Sequence, residues 1–165
     1  MVYFASAPAR RLGWVVERHG TLYAQEYGWE QRFEALVARI AADFVDHFDA
    51  RSERCWIAER NDEAVGCVFL VKHHDSPETM AKQRLLLVEP SARGFAIGKR
   101  LVRECTLFAR AAGYRKIALW TNSVLDAARH LYQEEGHKLI KREARQSFGK
   151  SLVGGTWELA LCGQQ

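Results

Sequence analysis

The chain carries the stretch Arg93-Gly94-Phe95-Ala96-Ile97-Gly98 at the border between two segments of different periodicity. The apolar run 85–88 before it is typical of a strand. After it, through Ala112, apolar residues recur every three or four positions, as in a helix. The N–H groups of a first helical turn have no partner within the helix, and the aligned peptide dipoles make that end positive. Since Gly94 and Gly98 let a ligand approach the backbone closely, the sequence predicts a phosphate-binding turn.

Two common nucleotide-binding motifs fit this turn poorly. A P-loop needs four residues between its first glycine and the Gly-Lys pair, followed by Ser or Thr. Here three residues separate Gly94 from Gly98-Lys99, and Arg100 follows. The dinucleotide fingerprint Gly-x-Gly-x-x-Gly also fails, because Ala96 and Leu101 occupy its second and third glycine positions. Kinase-like and dehydrogenase-like functions are therefore disfavoured.

Length and composition are those of a globular protein of 165 residues with a net charge of +4. This length fits one domain, 1–165, with a sizeable core. No apolar run approaches the ~20 residues that span a bilayer, and the first residues lack the apolar segment of a signal peptide. We therefore expect a cytoplasmic protein without a membrane partner. Its modest positive charge suits a polyanionic ligand and is too weak to argue for nucleic acid.

The cysteines and the chain ends carry little functional information. Cys55, Cys67, Cys105 and Cys162 are scattered without a Cys-x-x-Cys pair. Each lies in an apolar pattern, so we expect buried free thiols and neither a disulfide framework nor a metal site. Residues 1–10 and 163–165 are expected to be loosely held.

Periodicity predicts the element order β-α-α-β-β-β-α-β-α-β-β. Strands are predicted at 13–16, 55–59, 64–72, 84–88, 116–120, 138–141 and 156–161. Helices are predicted at 17–27 with an interruption at Gly20, at 30–48, at 97–112, and from a capping box at 123–126 to Gly136. The run 84–88 is apolar enough to be buried on both faces. Alternation of strand and helix after Arg84 predicts one parallel pair in an otherwise antiparallel sheet, an α/β (α+β) fold.

The phosphate turn resembles that of the GNAT superfamily of N-acetyltransferases. The pyrophosphate motif of this family, Arg/Gln-x-x-Gly-x-Gly/Ala, follows the fourth strand; Arg93 takes its first position, Gly98 its last, and Ala96 replaces the middle glycine. The resemblance covers about Leu12 to Leu161. It includes the acetyltransferase half of bacterial proteins that fuse a MarR-type helix-turn-helix domain to a GNAT domain. It implies a mixed, mostly antiparallel sheet of six to seven strands, with a parallel β4-α3-β5 unit and helices on both faces.

The resemblance implies acetyl-CoA as co-substrate and no metal. In this family the fourth strand splays away from the fifth, and a bulge frees a backbone N–H for the thioester, while the pantetheine amides pair with the strand. The residues that this places on the coenzyme are Leu87, Val88, Arg93, Gly94, Phe95, Ala96, Ile97, Gly98, Lys99 and Asn122.

The candidate catalytic residues are Tyr132 and Glu89. Tyr132 occupies the position of a family tyrosine whose hydroxyl points at the coenzyme sulfur, and a phenol is protonated at neutral pH, so it would act as general acid toward the departing thiolate. Glu89, at the end of the fourth strand, is the first candidate for the base. His73 and His74 are alternatives on a loop, and an acceptor amine that arrives neutral would need no base.

The acceptor site is predicted at Tyr27, Trp29 and Phe148. The first two fall at the junction of the first helices, where they could equally belong to the core; Phe148 stands in a polar loop that rarely needs a phenylalanine. The basic residues around Arg142 and Arg145 form either a solvated face or a site for an acidic acceptor. These features predict an N-acetyltransferase that moves an acetyl group to a primary amine, small molecule or peptide, in a ternary complex. The alternative is a CoA-binding regulatory or sensor module. The resemblance implies a homodimer as a candidate assembly.

Overall fold

The structure, a computed structural model, describes residues 2–6, 11–76 and 79–161, with the first range described by its backbone. The predictions for Cys162, for residues 1 and 7–10, and for the chain end 163–165 fall outside these ranges. The strands are β1 (Val2–Ser6), β2 (Arg54–Arg60), β3 (Glu63–Lys72), β4 (Met80–Val88), β5 (Lys116–Asn122), β6 (Lys138–Ser147) and β7 (Lys150–Ala160). The helices are α1 (Leu12–Tyr27), α2 (Gln31–Asp46), α3 (Ile97–Ala111) and α4 (Asp126–Glu135), and a 3-10 turn covers Pro90–Ala92.

The strands form one seven-stranded sheet in the order β1-β2-β3-β4-β5-β7-β6. Neighbouring strands are antiparallel, except that β4 and β5 run parallel with α3 as their connection. This confirms the predicted mixed sheet and its parallel unit. Apolar side chains fill both faces: one core layer packs under α3, and the other under α1 and α2. None of the helices within the described ranges is long and apolar enough to cross a membrane.

The first predicted strand is wrong. Residues 13–16 are strand-like in composition, yet they belong to α1, because the spacing of Val15, His19 and Leu22 places all three on one buried helical face. The first strand is instead β1, which lies in the segment expected to be loosely held and pairs antiparallel with β2.

Gly20 does not interrupt α1 as predicted. A Cβ at this position would lie 2.8 Å from the side chain of Glu34 on α2. The glycine therefore allows the two helices to pack closely, and this packing stabilises the helix across a residue of low propensity.

The predicted capping box at the start of α4 is also wrong. The helix begins at Asp126 with Leu125 as its cap residue, and no side chain caps it. The backbone N–H of Ser123 instead donates to the carbonyl of Val153 at 2.8 Å. Pairing with β7 therefore holds Ser123 as an extension of β5 and delays the helix by two residues.

The prediction that 84–88 is buried on both faces fails in an informative way. Leu87 is buried, but Leu85 and Leu86 are only half-buried. Each packs against the core with part of its side chain and also lines an open cavity. Of the cysteines, Cys55, Cys67 and Cys105 are buried free thiols, as predicted.

Candidate active site

A β-bulge interrupts β4 in the middle of the sheet. Cys67 pairs with Leu87 and Phe69 with Arg84, so that two steps along β3 face three steps along β4. Leu85 has a positive φ of 57°, and its carbonyl accepts a hydrogen bond from the thiol of Cys67 at 3.2 Å. The extra residue of a bulge leaves backbone groups outside the ladder, as the resemblance implies for this strand.

β4 and β5 separate just before the bulge. They pair only between 80–82 and 116–118, although β4 continues to Val88 and β5 to Asn122. Two cavities open at this gap, of about 560 Å³ and about 410 Å³. They share the lining residues Tyr23, Leu86, Leu125 and Ala128. The two cavities therefore meet where the strands diverge.

The first cavity collects most of the residues predicted for the coenzyme. Its lining includes Leu87, Val88, Arg93, Gly94, Ala96, Ile97, Gly98 and Lys99. Phe95 is not among the lining residues: it is 54% exposed, and the guanidinium of Arg60 lies 4.1 Å from its ring centroid. Asn122 lines the second cavity instead.

The backbone N–H groups of residues 94–99 point to an anion site. No acceptor in the described part of the chain takes a hydrogen bond from them, and the first bond of α3 runs from the N–H of Arg100 to the carbonyl of Ala96 at 3.1 Å. A Cβ at Gly98 would lie 2.8 Å from Leu131 on α4. The glycine therefore lets the start of α3 lie directly against α4, and both residues line the first cavity. Free amides, a helix N-terminus and Arg93 with Lys99 fit a diphosphate.

Arg93 has a partner across this cavity. Its guanidinium donates to the carboxylate of Glu26 on α1 at 2.6 Å, and the arginine side chain is half exposed. Such an exposed pair contributes little to stability, so Arg93 can exchange its partner for a phosphate at small cost.

Tyr132 lies in the second cavity and is 5% exposed. Burial raises the pKa of its hydroxyl well above the ordinary value, with a smaller contribution from Cys105, and the amide of Gln83 opposes the shift. The phenol is therefore protonated at neutral pH. It lines the second cavity, whereas the residues of the phosphate turn line the first.

Gln83 is a site residue that sequence reasoning missed. It is 3% exposed, lines the second cavity, and its Oε1 has no hydrogen-bond partner among the described residues. A buried amide oxygen without a partner costs free energy unless a ligand or water satisfies it. The available signal was weak, because Gln83 stands between the charged residues Lys82 and Arg84.

Trp29 and Phe148 form a wall of the second cavity, as predicted for the acceptor site. Their ring centroids are 5.0 Å apart. Phe148 and Gly149 are the two turn residues between β6 and β7, with φ of 54° and 79°. A bulky residue in this left-handed conformation has a strained backbone. The residue under this strain is therefore one whose side chain shapes the cavity. Tyr27, predicted with them, lines the first cavity instead.

A family model described as the acetyltransferase (GNAT) family matches residues 15–137. The chain belongs to the GNAT family of acetyltransferases. It is 30% identical over 115 residues to human N-acetyltransferase 8B, a match that covers 67% of this chain and 50% of the relative. The chain thus spans about half the length of the curated mammalian relatives it matches.

Solved structures show the same GNAT fold at low sequence identity. An N-acetyltransferase from Staphylococcus aureus Mu50 superposes with a TM-score of 0.81 at 18% identity, covering 98% of this chain and 99% of the other. An acetyltransferase from Salmonella typhimurium, solved with its cofactor acetyl-CoA, gives a TM-score of 0.77 at 14% identity, covering 100% of this chain and 96% of the other.

The GNAT turn of this chain contains a strained alanine. Ala96, which replaces the motif glycine, has φ 59° and ψ 22°. Because the left-handed conformation costs an L-residue roughly 1–2 kcal/mol and the flexibility of glycine costs about 0.5–1 kcal/mol, Ala96→Gly should stabilise the fold by about 0.5–1 kcal/mol. Urea unfolding measures this. Ala42→Gly, at an exposed position inside α2, should destabilise; equal destabilisation by both variants would contradict the argument.

The structure does not bring Glu89 to either cavity. Its carboxylate accepts two hydrogen bonds from Arg18 on α1, from Nε at 2.5 Å and from Nη2 at 2.9 Å, and this contact raises the pKa of Arg18. Glu89 therefore ties α1 to the end of β4. His73 and His74, the alternative bases, lie between β3 and β4 at the opposite end of β4 and line neither cavity.

His19 is, after Gln83, another buried polar residue that lines the second cavity. Its Nδ1–H donates to the carbonyl of Val15 at 2.7 Å, and Nε2 has no partner among the described residues. Burial lowers the pKa of His19 to about 4. The imidazole is therefore neutral at pH 7 and presents a free lone pair.

This burial predicts a pH dependence of stability. Since the pKa of His19 is lowered on folding, the unfolded chain binds the proton first, and the free energy of unfolding should fall between pH 6.5 and about 4. The fall due to His19 is about 3 kcal/mol. Urea unfolding of the wild type and of His19→Gln at pH 7.5 and 4.5 measures it, while His137 contributes equally to both. The same pH dependence in both proteins would contradict this.

Proposed function

We propose that the chain is an acetyl-CoA-dependent N-acetyltransferase that acts on a primary amine by direct transfer in a ternary complex. The observation that carries the proposal is the meeting of two cavities at the β4–β5 gap. One holds the phosphate turn and the other holds Tyr132. Two substrates bound in adjoining cavities can react without a covalent enzyme intermediate, and their proximity contributes several kcal/mol. Relatives named N-acetyltransferases support the reaction class.

The first cavity would hold the coenzyme. The free amides of 94–99, with Arg93 and Lys99, would bind the diphosphate. The free backbone groups at the bulge, near Leu87 and Val88, would bind the pantetheine arm and the thioester oxygen. Acetyl-CoA, when bound, supplies an activated acetyl group as its thioester.

Tyr132 would serve as the proton donor. As the N–C bond of the product forms and the C–S bond breaks, the hydroxyl of Tyr132 gives its proton to the sulfur. The proton released by the amine returns to Tyr132 through solvent, so the protons balance. Burial raises the pKa of a thiol as well as that of a phenol. The proton can therefore still pass from the Tyr132 hydroxyl to the sulfur. Asn122, which lines the second cavity, would orient the pantetheine arm of the coenzyme where it reaches this end of the gap.

Deprotonation of the amine would not require Glu89, whose two oxygens already bind Arg18. An amine that enters the second cavity loses its proton more readily, because burial disfavours its cationic form. Glu89→Gln would then change stability and leave the pH profile of turnover unchanged, whereas a shifted profile would assign the base to Glu89.

The test is release of free thiol from acetyl-CoA by the purified protein with a panel of amines, corrected for hydrolysis without amine. Amine-dependent thiol release, together with mass-spectrometric detection of the acetylated amine, is expected. Protection against thermal unfolding by CoA without any transfer would instead support the alternative, a CoA-binding regulatory or sensor module. If CoA neither protects the fold against heat nor donates its acetyl group, both the acetyltransferase and the sensor functions are refuted.

A further inference from the structure

The charge of the second cavity is one-sided. Its lining includes the cationic side chains of Lys82, Arg84 and Arg145, while no aspartate or glutamate is found among its described lining residues. A cavity built for a polycationic acceptor would need acidic groups. The charges here are complementary to an anion.

Lys82 and Arg84 carry most of this argument. They lie two residues apart on β4, opposite Val71 and Phe69 of β3, and therefore on the α1–α2 face of the sheet. Both are half-buried, and no carboxylate in the described part of the chain lies within ion-pair distance of either. Burial lowers the pKa of both, and repulsion by Arg84 adds to the shift of Lys82; the smaller attractions of Asp75 for Lys82 and of Asp43 for Arg84 oppose it. Arg145, in contrast, already pairs with Glu143 at 3.0 Å.

Half-buried cations without a partner cost free energy, which an anionic ligand would offset. Arginine in particular binds carboxylates through two parallel hydrogen bonds. Arg84 is closer to the bulge than Lys82 and therefore closer to the gap where transfer would occur.

Two buried hydrogen-bond acceptors of the second cavity have no donor among the described residues. Gln83 Oε1 and His19 Nε2 are buried and without partners among the described atoms, and both line the cavity. Each is an acceptor: the amide oxygen by nature, and Nε2 because Nδ1 carries the proton that binds Val15. Amine N–H groups are donors of the kind they lack.

The remaining wall is aromatic. Trp29, Phe33 and Phe148 pack on one another with ring centroids 4.9 to 5.1 Å apart, and all three line the cavity. They offer a surface for an apolar or aromatic body.

We infer that the acceptor is a primary amine that also carries a carboxylate, on an apolar or aromatic body, with Arg84 binding the carboxylate. An α-amino acid with an aromatic side chain has this chemistry. The inference rests on the proposed function and narrows its acceptor to one class.

The first test compares two acceptors that differ only in the carboxylate, L-phenylalanine and phenethylamine. The wild type should use L-phenylalanine with the higher kcat/KM, by about 10- to 100-fold, as expected for a charge-assisted hydrogen bond of roughly 1.5–3 kcal/mol. Arg84→Met should abolish the preference, and Arg84→Lys should retain part of it. Arg110→Met, which removes an exposed charge on α3 outside both cavities, is the control for net charge and should keep it. Turnover confined to amines without an anion, or with no member of the pair, would overturn the inference.

The second test needs no transfer and so separates this inference from the proposed function. Trp29 and Trp120 line the cavity, so their fluorescence reports a bound ligand. 3-Phenylpropionate should change this fluorescence saturably in the wild type and in Arg110→Met, and bind at least about tenfold more weakly to Arg84→Met. Circular dichroism checks that each variant is folded. Equal binding of 3-phenylpropanol, or unchanged binding to Arg84→Met, would overturn the inference even if acetyl transfer is observed. Carboxylate binding without thiol release from acetyl-CoA would instead refute the proposed function.

Discussion

Tyr132→Phe should lower kcat by about 10²- to 10⁴-fold, the usual contribution of a positioned general acid. The affinity for CoA should not change, because the hydroxyl lies in the second cavity and not among the residues that line the first. Removing one oxygen keeps the ring in its packing with Val102 and Leu119, so the fold should be retained. Steady-state kinetics and calorimetric titration with CoA measure the two quantities.

Tyr114→Phe is the matched control for this variant. The Tyr114 hydroxyl is also buried, and it donates to the carbonyl of Ser52 at 2.6 Å, away from both cavities. Its loss should reduce the free energy of unfolding by about 1 kcal/mol and leave kcat unchanged. Full turnover by Tyr132→Phe would remove this residue from the mechanism.

Gly98→Val should raise the Kd for CoA by about 100-fold or more, since several charge-assisted hydrogen bonds of roughly 1.5–3 kcal/mol each depend on the start of α3. A Cβ at this position already meets Leu131 at 2.8 Å. Two further methyl groups would displace either Leu131 or the helix start, and both line the first cavity.

Gly13→Val provides the control, because Gly13 is the second residue of α1 as Gly98 is of α3, and a Cβ there meets nothing within 4 Å. Both variants lose the same helix-destabilising glycine, so only Gly98→Val should change the affinity for CoA. Calorimetric titration of both, with thermal unfolding as a check of the fold, gives the result. Equal affinities would place the diphosphate elsewhere.

The sequence predicted the local parts of the site and missed the parts that depend on strand pairing. The turn at residues 93–96 and the start of α3 at Ile97 follow from a short motif and a helical period, and the structure has both at these positions. The interpretation of 13–16 as a strand failed because β-branched residues mislead where tertiary packing on α2 prevails. The position of β1 could not be read locally, because it depends on its pairing with β2.

The same limit explains the misplaced site residues. Tyr27 and Asn122 exchange their predicted cavities, because which side of the gap a residue faces depends on where β4 and β5 stop pairing. The sequence did not indicate Lys82 and Arg84 as site residues. Alternation along a strand shows which face a side chain occupies only when the position of the bulge, here Leu85, is known. Gln83 is one of three consecutive polar residues in the sequence, and only the fold shows that it is buried beside Tyr132.

The claim on which the account depends is that the free amides at the start of α3 bind the diphosphate of CoA. Titration of ¹⁵N-labelled protein with CoA, followed by amide resonances in solution, tests it most directly. The account predicts saturable shifts that are largest for the backbone amides of residues 94–99 and that pantetheine, which lacks the diphosphate, does not produce there. Saturable binding of CoA that leaves these amides unshifted would contradict it.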